Sequence, residues 1–275
     1  MSNALLQRPR IGVVKFASCD GCQLTLLDCE DELLALCEHI ELADFPEATS
    51  ARSEGPFDVL LVEGSVSAPG HAERLAALRA ASRFVIAIGA CATTGGVQAL
   101  RNHADHAAFA HAVYPRREWV ASLATSTPLS AHIAVDLERP GCPLDARQLV
   151  AASGALLHGR RPSQHDEAVC VECKRRGIVC VMATGGVPCL GQVTRSGCGA
   201  ICPRFARGCY GCFGPRPEAN VRPLLLHFQA TLGLSAHAAA QQLAGYTSWA
   251  EPYRDEVAAW SAAQARSVLP GGGDD

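Results

Sequence analysis

At 275 residues, of which 48% are hydrophobic, the chain is long enough to bury one large core or two medium ones and has the composition of a globular protein. Its net charge of -3 and its few, scattered aromatic residues argue against a nucleic-acid partner read by base stacking. No run approaches the roughly 18 to 20 apolar residues of a membrane span, and residues 1–10 hold neither an apolar signal segment nor a twin-arginine pair, so no membrane partner and a cytoplasmic location are expected.

The first predicted element is a buried strand over 11–16, followed at once by Cys19 and Cys22. Apolar residues Leu24, Leu27, Leu34 and Cys37 then recur at helical intervals, which predicts a helix over 23–37. The pattern repeats with a strand over 57–62, a helix over 71–82 and a strand over 84–88 that runs into Cys91. A short strand over 133–135 precedes Cys142, and a helix over 143–158 closes the series, with Gly159 suited to its last turn.

Strands alternating with helices predict an α/β domain over 1–159: a flavodoxin-like, mostly parallel sheet with helices on both faces. Right-handed crossovers put the loops after its strands on one carboxyl edge. Cys19, Cys22, Cys91 and Cys142 each follow a predicted strand, so four cysteines distant in sequence converge there. Cys29 and Cys37 are left over as core or surface thiols.

Residues 160–168 are polar and irregular and mark a boundary before a second domain over 160–275. This begins with eight cysteines in 43 residues, spaced as Cys170-x2-Cys173-x6-Cys180-x8-Cys189 and Cys198-x3-Cys202-x6-Cys209-x2-Cys212. Fourteen cysteines in a reducing compartment favour metal ligation over disulfides. An iron-sulfur cube has four iron corners, each closed by one soft thiolate, so every quartet matches one cluster. Structural zinc fits the two-residue spacings as well. The third quartet on the sheet edge favours clusters, because three sets then account for twelve cysteines.

From 170 to 222 there are eight basic residues against Glu172 and Glu218, a net +6, while the remainder carries -9. Arginines around an anionic cluster offset its charge and raise its potential; a docking patch for an acidic partner or a solvated surface fits the same pattern. Helices over 218–232, 235–244 and 253–268 complete the chain, and 270–275 are expected to fray.

The segments SCDGCQ (18–23), VEGSV (62–66), GACA (89–92) with GGVQ (95–98), and GCP (141–143) together resemble the signatures of the nickel-iron hydrogenase small subunit. With its cysteine-rich second part the chain resembles most the delta subunit of the cytoplasmic sulfhydrogenases, the bidirectional NADP-linked hydrogenases. The resemblance implies a proximal 4Fe-4S cluster on Cys19, Cys22, Cys91 and Cys142. It implies a medial cluster on Cys198, Cys202, Cys209 and Cys212, and a distal one on Cys170, Cys173, Cys180 and Cys189. Periplasmic relatives have a histidine at the first distal position and a proline at one medial position; Cys170 and Cys202 stand in those places here, which implies three four-iron cubes and leaves His158 and His165 as surface residues.

Ser18 stands where many uptake relatives have a glutamate, so no proton-relay role carries over to it, and Leu144 replaces a second proline. Glu63 matches the family's acidic residue beside the proximal cluster, where it would tune that cluster; a solvated strand-end carboxylate is its other reading. The chain itself is expected to hold no catalytic residue. Hydrogen would be activated at a nickel-iron centre in a large-subunit partner, and electrons would pass to iron-sulfur and flavin-containing NAD(P) reductase subunits. No Gly-x-Gly-x-x-Gly segment follows a strand, so flavin and nicotinamide belong with those partners. Alternatives are a deazaflavin-reducing or heterodisulfide-reductase-linked small subunit, a quinone-reductase-type subunit, and a zinc-ribbon scaffold.

Overall fold

The computed structural model describes residues 8–163 and 166–268. The chain forms two compact units, Met1–Gln164 and His165–Asp275.

In the first unit β1 (Arg10–Lys15), β2 (Glu41–Asp44), β3 (Phe57–Glu63), β4 (Ser82–Ile88) and β5 (Leu137–Arg139) form one sheet in the order β2-β1-β3-β4-β5, with every pairing parallel. Helices α1 (Gly21–Leu27), α2 (Glu30–Cys37), α3 (His71–Ala80), α4 (Gly89–Thr94), α5 (His106–Val113) and α6 (Ala146–Leu157) connect and cover it. β1, β3 and β4 are buried nearly end to end, as in a sheet covered on both faces. Alternation divides their side chains. Ile11, Val13, Val59, Leu61, Ile86 and Ile88 pack with Leu26, Leu149 and Ala152 on one face, and Val14, Leu60, Val62, Val85 and Ala87 pack with Leu75 and Leu78 on the other.

The register levels the strand ends. Lys15 lies opposite Glu63, Glu63 opposite Ile88, and Ile88 opposite Arg139. The segments that leave Lys15, Ile88 and Arg139 carry Cys19 and Cys22, Cys91, and Cys142 in turn, and Glu63 ends the strand between them.

Two expected elements differ. The helix expected over 23–37 is broken after Asp28, and α2 restarts with Glu30, Asp31 and Glu32 in its first turn, where carboxylates offset the helix dipole. The strand expected over 133–135 lies four residues later, at Leu137–Arg139. Ile133 donates its N–H back to Leu129, and Asp136 both donates to the Val85 carbonyl and accepts the Val85 N–H, so the ladder starts only at Leu137. Ile133 and Val135 are apolar because they pack against the core from outside the sheet.

The second unit holds α7 (Val169–Arg175), α8 (Val181–Gly185), α9 (Ile201–Arg204), α10 (Val221–Leu232), α11 (Ala236–Gln241) and α12 (Glu251–Val268). Its first three helices are too short to stand alone in water. They are held by a core in which Val169, Leu190, Val193, Ala200 and Cys209 pack with Leu224, Leu225, Phe228, Leu243 and Tyr253. The fully buried Tyr253 ties α12 to the cysteine loops through hydroxyl contacts with Thr194 at 3.2 Å and the Val193 carbonyl at 3.4 Å. Among the described residues no helix is long and apolar enough to cross a membrane.

Candidate metal centre

Cys19 and Cys22 flank the start of α1, Cys91 lies in α4 and Cys142 follows β5. Two bonds draw their loops together. The Ala90 N–H donates to the Gly141 carbonyl at 2.7 Å, and Gln98 donates from Nε2 to the Ala17 carbonyl at 2.6 Å while its Oε1 accepts from the Cys91 thiol at 3.4 Å. Burial pushes the Cys22 thiol well up, and Glu63, Cys91 and Cys142 add to it. Burial raises Cys91 to about 11, the Gln98 hydrogen bond opposes this, and Cys142, Cys19 and Glu63 add to the rise. Cys142 is raised by burial, then by Cys19 and Glu63. All four thiols therefore lie within electrostatic reach of one another's group.

Two glycines leave room for these sulfurs. A Cβ on Gly89, at φ +82°, would stand 2.4 Å from the Cys22 Sγ, and one on Gly96 would stand 2.6 Å from the Cys91 Sγ. Glu63, the last residue of β3, is only 1% exposed and bonds to the Cys22 segment. Its Oε1 accepts the Cys22 N–H and its Oε2 accepts the Gln23 side-chain amide, both at 3.1 Å. Burial raises its pKa despite these bonds. The solvated reading of Glu63 is thereby overturned.

In the second unit, burial raises Cys170 to about 11, with Cys189, Cys173 and Cys180 adding, and Cys173 responds to burial, Cys189 and Cys180. The charges of these four thus act on one another as a set. Gly191 lies against it, where a Cβ would sit 3.4 Å from the Cys189 Sγ and 3.6 Å from that of Cys170. The other four come as neighbouring pairs: Cys198 is raised by burial and by Glu172 and Cys202, and Cys209 by burial, Cys189 and Cys212. Cys189 also raises Cys202, and its sulfur accepts the Cys209 N–H at 3.2 Å, so it lies between the two sets.

The basic residues of this stretch divide. Arg175 grips Glu167 with two bonds of 2.7 and 2.8 Å, whereas Arg207 opposes the rise that burial and then Cys189 impose on the Cys202 thiol, and Arg176 packs over Gly199.

Residues 19–156 match the family described as NADH ubiquinone oxidoreductase, 20 Kd subunit. Over a wider span, the chain is 38% identical across 212 residues to sulfhydrogenase 2 subunit delta of Pyrococcus furiosus, an alignment covering 77% of this chain and 89% of that one. The chain belongs to the nickel-iron hydrogenase small-subunit family. It is 31% identical to a vhu subunit of the F420-non-reducing hydrogenase of Methanocaldococcus jannaschii, across 74% of this chain and 81% of the relative. A crystal structure of an NAD+-reducing nickel-iron hydrogenase in its H2-reduced state contains a chain that matches with a TM-score of 0.53 and 30% identity, over 57% of this chain and 95% of that one.

Among the described residues of this small subunit, no group of three or more histidine, cysteine, aspartate or glutamate side chains is arranged to hold a single metal ion. A tetrahedral zinc site brings its thiolates within about 4 Å of one another, whereas each thiolate of an iron-sulfur cube closes a different iron corner. All-thiol groups backed by glycines suit the cube in donor chemistry. His158, exposed, turns its Nδ1 onto the Gly154 carbonyl, and His165 lies outside the described residues. Gln98 and Glu172 are side chains that spacing alone does not single out. In the sequence Glu172 counts only as charge, although an acid between two cysteines in a basic stretch is a signal in itself.

Proposed function

We propose that this chain is the electron-transfer small subunit of a cytoplasmic nickel-iron hydrogenase of the sulfhydrogenase type. It would hold three 4Fe-4S clusters: the proximal on Cys19, Cys22, Cys91 and Cys142, the medial on Cys198, Cys202, Cys209 and Cys212, and the distal on Cys170, Cys173, Cys180 and Cys189. When bound, such clusters supply sites that accept and release single electrons. The observation that carries the reading is the convergence of Cys19, Cys22, Cys91 and Cys142 on one sheet edge from the segments after β1, β4 and β5.

The chain's own residues position and insulate. Glu63 and Gln98 hold the Cys22 and Cys91 segments by hydrogen bonds, and burial keeps water from the Cys22 thiol, while Cys19 lies exposed at the rim. Hydrogen activation belongs to a large-subunit partner with the nickel-iron centre, and flavin and NAD(P) to iron-sulfur and flavin-containing reductase subunits. The segment after Cys91 supports a large partner chain, because Phe109, Val113 and Trp119 are 61%, 64% and 74% exposed. The relative from an F420-non-reducing hydrogenase favours a second reading in which only the acceptor differs from NAD(P).

Purification through a tag on this chain, without oxygen, tests the assignment. A nickel-bearing subunit should copurify, and the complex should reduce NADP or NAD with hydrogen. Absence of that subunit and of any hydrogen-dependent dye reduction would refute it.

A further inference from the structure

Glu172 sits on α7 between Cys170 and Cys173, yet its carboxylate reaches into the loop of the other thiol set. Oε1 accepts the N–H groups of Gly197 and Gly199, each at 3.1 Å, and Oε2 accepts that of Ala200 at 3.2 Å. The same Oε2 lies 3.8 Å from the Cys198 Sγ. Three backbone donors converging on one carboxylate make charge-assisted bonds, stronger than neutral ones, and so fix the conformation of their loop. That loop needs fixing. Ala200, fully buried, has a φ of 52°, a left-handed conformation that residues with a Cβ adopt only where their surroundings impose it.

We propose that Glu172 is a positioning residue that holds Cys198 in place as a ligand and locks the Cys198–Cys202 loop to the helix bearing Cys170 and Cys173. The proposal rests on the cluster reading above. Its charge has a second effect, because a carboxylate beside a ligating thiolate opposes the addition of an electron and keeps the potential of the group bound through Cys198 low.

The test compares wild type, Glu172→Ala and Glu172→Gln in the full chain, purified without oxygen with its companion subunits. Iron, acid-labile sulfide and the midpoint potentials of the paramagnetic signals are measured. The alanine variant should lose about four iron and four sulfide per copy, one cube's worth, and keep the rest. Glutamine retains an acceptor oxygen without the charge, so its iron should stay and one potential should shift upward while the others hold. Wild-type iron in the alanine variant together with unmoved potentials in the glutamine variant overturns the proposal. Loss of all iron from the alanine variant also overturns it, since Glu172 would then serve folding alone. A wild-type chain lacking iron and sulfide is a failure of the cluster reading itself, and this proposal falls with it.

Discussion

The carboxylate of Glu63, the last residue of β3, accepts the backbone N–H of Cys22 at 3.1 Å across the sheet edge. One buried acid thus orients the first turn of α1, and its other oxygen holds Gln23. Gln23 keeps a buried Oε1 without a hydrogen-bond partner among the described residues. Glu63→Ala should leave two buried donors unpaired and cost about 1–3 kcal/mol for each. Glu63→Gln should cost less than about 1 kcal/mol, because Gln23 can turn its free oxygen toward the new amide. Thermal unfolding of the two variants checks this; equal losses would contradict it.

Gly89→Ala should remove one cluster's worth of iron. The added Cβ would meet the Cys22 sulfur at 2.4 Å, and the positive φ adds about 1–2 kcal/mol of backbone cost. Gly70→Ala is the control, since its φ of +78° is similar but nothing lies within 4 Å of the new Cβ. It should lower stability and leave the iron content alone.

How much of this is legible in the sequence depends on where side chains meet. β1, β3 and β4 are continuous apolar runs, and the placement of Cys19, Cys22, Cys91 and Cys142 after strands follows from parallel topology, which needs no knowledge of contacts. β2 escapes such reading because an edge strand of four residues, with only Leu42 and Ala43 apolar, has almost no pattern. β5 lies off its expected place because Ile133 and Val135 are as apolar as strand residues while serving a turn. The partners of Glu172 lie 25 to 28 residues away in a loop without periodicity, so no spacing rule points to them.

Asp44 offers a pH signature in the first unit. Its side chain is buried, its Oδ1 has no hydrogen-bond partner among the described residues, and the nearest paired cation, Arg52, is 3.9 Å away. Burial raises its pKa, opposed by a backbone hydrogen bond from Ser53 and the charges of Arg52 and Arg74. The folded chain therefore binds this proton more tightly than the unfolded chain, and stability falls as pH rises from the ordinary carboxylate value through the raised one. Asp44→Asn should melt higher than wild type at pH 7, with the difference vanishing near pH 4. An equal or lower midpoint at pH 7 would count against it.

Cys91→Ser should abolish hydrogen-dependent dye reduction while the signals of the two other clusters survive. Cys91 is the residue that both Gln98 and the Gly96 turn enclose, so its loss removes a ligand without disturbing the second unit's own core. Unchanged dye reduction would remove Cys91 from the electron path.

Iron, zinc and acid-labile sulfide content of the chain purified without oxygen, read beside its visible absorption, tests the account most directly. Three cubes require about twelve iron and twelve sulfide per chain. Two or three zinc with no sulfide, in a colourless protein, would contradict it and leave a cysteine-rich scaffold on a parallel sheet.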